Sequence, residues 1–140
     1  MSKSSDKTPY FYLENLECWQ QAKKLAVDMH QFSSDGNFSH DCVLRDQLRK
    51  SAIAIASQIA CGKEWGSAAE FIRFLGEAKA SAAELRTQLV ISRELGYLPE
   101  GDFLDFEDKI NRISAMIGGL IRAIRKRRED QSITIKQAET

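Results

Sequence analysis

The sequence predicts an all-α domain, an antiparallel up-down-up-down four-helix bundle, and three observations lead to this prediction. Apolar residues recur at steps of three and four residues in four successive segments, which is the spacing of helices with one buried face. Clusters of turn-forming residues separate these segments, and the 140 residues include only two prolines. A chain of this length forms one domain with one core. The bundle is predicted over residues 10–128, with helices at 15–33, 40–62, 67–95 and 100–128.

The first two helices are bounded by turn formers and glycines. The apolar stripe of the first helix ends at Phe32, and a Ser-Ser-Asp-Gly-Asn run follows it at residues 33–37. Ser39 has the side chain of an N-cap residue, and Gly62 has the freedom that favours glycine after a helix. We therefore expect the second helix to begin after Ser39 and to end at Gly62.

The last two helices carry more distinct signals. Ser67 and Glu70 have the spacing of a capping box, and Gly96 can end the third helix. The fourth helix contains a heptad seam, and Gly118-Gly119 in its interior suggests a tight contact with a neighbour. The seam residues are Phe103, Phe106, Ile110, Ile113, Ile117, Leu120 and Ile124.

Both ends of the chain are polar. Residues 1–9 are predicted to be a flexible N-terminal tail, and residues 129–140 a flexible C-terminal tail. The aromatic run Tyr10-Phe11-Tyr12-Leu13 lies between the first tail and the first helix, where it could pack against the bundle.

No motif for catalysis, metal or cofactor binding is found. A di-iron bundle needs a glutamate three positions before each ligating histidine, but Val27 stands there for His30 and Asn37 for His40. No phosphate-binding loop or nucleophile elbow occurs in the sequence. Cys18, Cys42 and Cys61 lack the close spacing of a zinc site, so we expect three buried free thiols. We predict a protein that is not an enzyme and has no metal or cofactor. With neither a signal peptide nor a membrane span in the sequence, it is predicted to be cytoplasmic, without a membrane partner.

The charge of the chain is zero overall but uneven along it. Residues 97–111 hold five acidic side chains and one lysine, whereas residues 112–128 hold six basic side chains and no acid. One interpretation is complementarity to the helix dipole; the other is a surface that faces phosphates. The candidate nucleic-acid or partner contacts are Arg45, Arg49, Lys50, Arg122, Arg125, Lys126, Arg127 and Arg128.

Trp65 is predicted to lie in the loop between the second and third helices. Exposed tryptophan is common at interfaces, which makes Trp65 a candidate protein-interface anchor. Packing of its ring across the end of the bundle is the alternative.

An ordered series of motifs over residues 11–124 resembles the bacterial four-helix bundle family named after 23S rRNA intervening sequences. The series includes Leu16 to Ala22, Leu44 to Ala52, Ser57 to Gly62, Ser67 to Leu75 and Leu95 to Leu98. The resemblance implies a homopentameric ring, in a family that includes the accessory variability proteins of diversity-generating retroelements, which bind a reverse transcriptase and nucleic acid. Gln58, Cys61 and Trp65 stand where that family usually has asparagine, glutamate and arginine.

Together these observations predict a non-enzymatic oligomeric scaffold. Its expected partners are copies of itself, as a homopentamer, and RNA, a ribonucleoprotein or a reverse transcriptase-like protein. The alternative is a pure protein–protein interaction module with no nucleic-acid role.

Overall fold

Four α-helices make up most of the computed structural model, which describes residues 13–139. Short 3-10 turns at Leu13–Asn15 and Gly36–Ser39 precede the first two helices, and the described residues contain no strand. The four predicted helices are confirmed. The predicted tail at residues 1–9 and the aromatic residues Tyr10, Phe11 and Tyr12 lie outside the described residues. The helices are α1 (Glu17–Phe32), α2 (Cys42–Trp65), α3 (Ala68–Glu94) and α4 (Glu100–Glu139).

Each helix packs antiparallel against its neighbours in sequence, and α4 also contacts α1. On the α2–α3 side, the Ser51 hydroxyl donates to Glu84 Oε1 over 2.8 Å. Arg86 and Glu107 pair at 2.6 Å between α3 and α4. Lys109 Nζ lies 3.5 Å from Asp28 Oδ2 between α4 and α1. The contacts therefore place the helices at the corners of a square in chain order, as in an up-down-up-down bundle.

The predicted heptad seam of α4 supplies one side of the core. Six of its seven residues are buried, and Leu120 is partly buried against them. The facing helices contribute mostly aliphatic side chains, as a close-packed interior requires. From α1, α2 and α3 these include Leu25, Met29, Leu48, Ile55, Ile59, Leu75, Leu85 and Leu89.

Helix α2 begins later than predicted, because Asp41 and not Ser39 is its N-cap. Asp41 Oδ1 accepts the backbone N–H of Leu44 at 3.1 Å, while Oδ2 accepts the hydroxyl of Tyr97 at 3.2 Å. The Ser39 hydroxyl donates instead to Gly36 O within the preceding turn. One carboxylate thus caps α2 and also holds the loop between α3 and α4.

Helix α2 also ends later than predicted, and Gly62 has a different role. The helix continues to Trp65, and Gly66, with a φ of +99°, is its C-terminal glycine. Gly62 is buried inside the helix, where a Cβ atom would lie 2.7 Å from the Cβ of Phe74. Glycine is required there because α3 approaches closely, and not because the helix stops.

The bounds of α3 agree with the prediction to within one residue. The Ser67 side chain accepts the Glu70 N–H at 3.1 Å, but the Glu70 carboxylate pairs with Arg73 at 2.9 Å. At the other end, Gly96 has a φ of +80° and its N–H donates to Arg93 O. The N–H of Tyr97 donates to Ser92 O, which completes a Schellman motif.

Helix α4 is longer than predicted. It continues past Arg128 to Glu139, so residues 129–139 of the predicted C-terminal tail are helical, and their flexibility stays a prediction. The chain beyond Gly119 has no glycine or proline, and a helix that is already formed extends at low cost. Residues 128–138 are all exposed and span roughly 15 Å at the rise of an α-helix. We call residues 128–139 the C-terminal arm.

Gly118 and Gly119 do not mark a tight contact within the chain. A Cβ atom at Gly118 would first meet the side-chain ends of Arg122 and Lys79, at 3.5 and 3.7 Å. Within residues 13–139, no helix combines the length and the apolar character that a membrane crossing requires.

Replacing Gly62 by alanine should lower the free energy of unfolding by about 1–3 kcal/mol, because the new methyl group overpacks the α2–α3 contact. Gly76 is the matched control, since a Cβ there has no neighbour within 4 Å. Gly76→Ala should raise stability by about 0.5–1 kcal/mol through helix propensity. Urea unfolding measures both variants. Equal effects would show that the close approach at Gly62 carries no cost.

Candidate nucleic-acid interface on helix α4

Four basic side chains are exposed along two turns of α4, near the end of the bundle at which the C-terminal arm begins. Arg122 precedes Arg125 by three residues and Lys126 by four, and Arg125 precedes Arg128 by three, so each of these pairs is adjacent on the helix surface. We call these four residues the basic segment. Together they cover one broad side of α4, opposite the groove that is described below.

A shallow depression lies on the basic segment. It has a volume of about 280 Å³ and is lined by Arg125, Arg128, Glu129 and Ser132. Two guanidinium groups and a hydroxyl supply hydrogen-bond donors, and guanidinium forks match the oxygens of phosphate. Glu129 limits the positive charge of this depression on the side of the arm.

Arg127 faces away from the basic segment. It is partly buried and lines a groove of about 400 Å³ between α4 and the start of α1. The other lining residues are largely apolar and include Leu16, Met116 and Ile124. Of the predicted contacts on α4, Arg127 is therefore the one that the structure separates from the others.

Arg49 has a structural role that the sequence did not reveal. Its Nε donates to Ser33 Oγ at 2.8 Å, and its Nη2 donates to His30 O and Ser34 Oγ at 3.1 and 3.0 Å. The guanidinium thus joins a carbonyl of the last turn of α1 to the two serines that follow the helix, at an end where a cation also complements the helix dipole. Because these donors are occupied, Arg49 is poorly suited to a nucleic-acid contact.

The predicted contacts on α2 do not join the basic segment. Arg45 pairs with Asp46 at 3.1 Å, and Lys50 is exposed on the outer side of α2. Arg49 lies at the end of the bundle where α1 ends, and the basic segment lies at the opposite end, near the start of α1. The 16 residues of α1 separate these two ends by about 24 Å.

Trp65 is the last residue of α2 and is not part of a loop. Its side chain is 65% exposed, and its ring lies 6.1 Å from that of Phe74 in a tilted arrangement. The antiparallel packing places Trp65 at the same end of the bundle as the basic segment. The two candidate contact surfaces predicted from the sequence therefore share one end of the molecule.

The prediction of three buried thiols holds only for Cys18. Burial raises the pKa of the Cys18 thiol to about 11, so this side chain is a poor nucleophile. Cys42 and Cys61 are exposed on α2, where spacing along the sequence alone did not distinguish inner from outer positions. Among residues 13–139, no group of three histidine, cysteine or acidic side chains could hold a metal ion.

The fold defines the chain as a four-helix bundle protein with a basic surface near one end. The family described as "23S rRNA-intervening sequence protein" matches residues 14–119, and the chain belongs to this family. The match ends before the basic segment and the C-terminal arm. No curated protein matches the chain.

Solved structures agree on the fold. One is a protein of unknown function from the S23 ribosomal protein family of Bacteroides thetaiotaomicron, with 20% sequence identity and a TM-score of 0.68. The alignment covers 74% of this chain and 97% of that protein. At this level of identity the likeness supports the bundle architecture alone.

Replacing Arg49 by lysine should lower the free energy of unfolding by about 1–2 kcal/mol, because an ammonium group cannot reproduce the fork that bonds three acceptors. Arg125→Lys is the matched control and should change stability by less than about 0.5 kcal/mol, since Arg125 is exposed. Thermal or urea unfolding provides the measurement. Equal stability of the two variants would contradict a structural role for Arg49.

Proposed function

We propose that this protein is a non-enzymatic, cytoplasmic scaffold that assembles as a homopentameric ring and binds RNA or a ribonucleoprotein partner through the basic segment. The partner class includes a reverse transcriptase-like protein bound to its RNA. The proposal gives each subunit one phosphate-facing surface, near the end of the bundle where the C-terminal arm begins.

The RNA proposal rests on a difference in pairing: the arginines of the basic segment have no ion-pair partner among residues 13–139, whereas every described arginine before them has a partner. Arg45, Arg73, Arg86, Arg93 and Arg112 each pair with a carboxylate, and Arg49 bonds to α1. Within residues 13–139, no member of the basic segment forms an ion pair. These side chains keep their full capacity to pair with phosphate oxygens, and a phosphate backbone rewards such contacts by releasing counterions.

Assembly would strengthen a modest local surface. A chain with zero net charge has no overall field that attracts nucleic acid, so one basic segment alone would bind weakly. In a ring the same four charges occur once in each subunit, and a long RNA could contact several of them at once. Membership of a family named after 23S rRNA intervening sequences is consistent with an RNA partner.

A protein–protein interaction module without nucleic acid is the second candidate. Its support is the exposed Trp65, because a large aromatic side chain on the surface is a typical interface anchor. The zero net charge of the chain also agrees with it. The two candidates differ in whether binding depends on salt and on the basic segment.

Replacing Arg122, Arg125, Lys126 and Arg128 together by glutamine should weaken binding of a structured RNA at least tenfold at low salt. The substitutions remove phosphate contacts and should make the dependence of log K on log salt shallower. Fluorescence anisotropy over a series of salt concentrations measures both quantities. Glutamine is chosen because it preserves helix propensity.

The control removes the same amount of charge elsewhere. Lys23, Lys24, Lys79 and Arg112 are also exposed and are changed to glutamine together. This variant should bind RNA as the wild type does, apart from the small effect of net charge. If both quadruple variants lose affinity equally, or if the wild type binds no RNA, the proposed RNA role is wrong and the protein-interaction candidate remains.

Light scattering on the purified protein should return a mass that is a multiple of five chains, each of 15.8 kDa. The measurement is made at micromolar concentration and repeated after dilution, because assembly depends on concentration. The mass of a single chain or of a simple dimer would exclude the ring.

A further inference from the structure

Helix α2 has a surface that is unusual for a solvent-facing helix. From Ser51 to Gly62 it contains no charged side chain, although only one side of this segment faces the core. A surface helix normally carries charges opposite its buried stripe, and a helix that is uncharged all round is normally buried all round. The outer side of α2 therefore has the composition of a contact surface.

The outer side carries its own heptad pattern. Lys50, Ile53, Ser57, Ala60 and Glu64 follow one another at steps of three, four, three and four residues, opposite the buried Leu48, Ile55 and Ile59. Ile53 is 52% exposed, Ser57 and Cys61 are exposed, and Ala54 and Ala60 are partly buried. We call this set, with Ala54 and Cys61, the outer α2 seam.

The outer α2 seam complements itself when two copies run antiparallel with their Ser57 residues facing each other. In that register Lys50 faces Glu64 of the second copy, and Ile53 faces Cys61. Ala54 then faces Ala60, so the centre of the contact consists of small side chains that let two helices approach to about 8–10 Å. Every pair except Ser57 with its own copy, which lies on the axis, occurs twice, as in any contact around a two-fold axis.

The charges of the seam agree with this register. Lys50 and Glu64 are both exposed, and neither forms an ion pair with any residue of the part of the chain that the structure describes. They are about 21 Å apart along one helix, so they cannot pair within a subunit. Across the two-fold axis each would gain an opposite charge, and the two pairs would flank the uncharged centre.

We propose that the outer α2 seam binds a second copy of this chain around a two-fold axis at Ser57. This contact goes beyond the proposed ring, because the interfaces of a five-fold ring join two different surfaces and cannot place Ser57 against itself. If both contacts form, the seam joins two rings into an assembly of ten chains. The seam also removes Lys50 from the set of RNA contacts.

Disulfide cross-linking at the axis tests the register. The background variant carries Cys42→Ser and Cys61→Ala, which leave only the buried Cys18. Adding Ser57→Cys should give a covalent dimer on mild oxidation, because the proposed register would bring the two Cβ atoms within the roughly 4 Å that a disulfide requires. Adding Ala83→Cys instead, at an exposed site on α3, should leave the chain monomeric on a denaturing, non-reducing gel. Equal cross-linking of the two variants overturns the proposal.

A charge exchange tests the seam in the native cysteine background. Lys50→Glu alone places two glutamates on each flank and should halve the assembly mass measured by light scattering. The double variant Lys50→Glu with Glu64→Lys restores opposite charges and should restore the mass. A mass that is unchanged by the single variant, or not restored by the double variant, overturns the proposal.

The same masses separate this proposal from the ring. If the single variant halves the mass from ten chains to five, both contacts form. If it leaves a single chain while Ser57→Cys still cross-links, the two-fold contact stands and the ring does not.

Discussion

The close approach of α2 to α3 at Gly62 is the constraint on which the rest of the bundle depends. Among the helices of residues 13–139, the contact between these two is the most extensive, and at Gly62 no side chain of α2 separates them. Phe71 and Phe74 fill the space that a larger residue would take. Helices α1 and α4 then pack on this pair, and Lys109 links them to each other through Asp28. A change at one backbone position thus affects the spacing between α2 and α3.

The polar interactions divide the surface into regions with different roles. Among residues 13–139, seven ion pairs join acids and bases within or between helices, at positions such as Arg73 with Glu70 and Arg112 with Asp108. Pairs of this kind at exposed sites contribute little stability. They do neutralise the surface locally, which leaves the unpaired charges of the basic segment as the main positive feature of α4. Local neutralisation on α4 therefore explains how a chain without net charge can present a basic surface near one end.

Much of the fold follows from the sequence, because helix periodicity depends on local spacing. The seam of α4 and the cap at Ser67 were predicted correctly, since both depend on residues within a turn or two of each other. The role of Gly62 could not be predicted, because a glycine at a helix end and one at a helix crossing look alike until the partner helix is placed. Arg49 is similar: its partners are 15 to 19 residues away, in the last turn of α1 or just after it.

The candidate site was predicted less well than the fold. Eight basic residues were grouped by charge alone, and the structure separates them by helix, by face and by end of the bundle. Polar composition predicts fraying after Arg128, whereas the structure continues α4 to Glu139. The absence of glycine and proline after Gly119 was the available signal, and it indicates that α4 has no local reason to stop.

The C-terminal arm continues α4 beyond the last residues that pack in the core. Ile135 follows Ile124 by eleven residues, which is close to three full turns, so both side chains leave the helix in nearly the same direction. Ile124 is buried and Ile135 is exposed. Each residue of an α-helix is rotated by a fixed angle from the one before it, so the packing of Ile124 in the core also sets the direction of the Ile135 side chain. The arm therefore points its side chains in directions that the bundle defines, and any molecule that meets it meets an oriented surface.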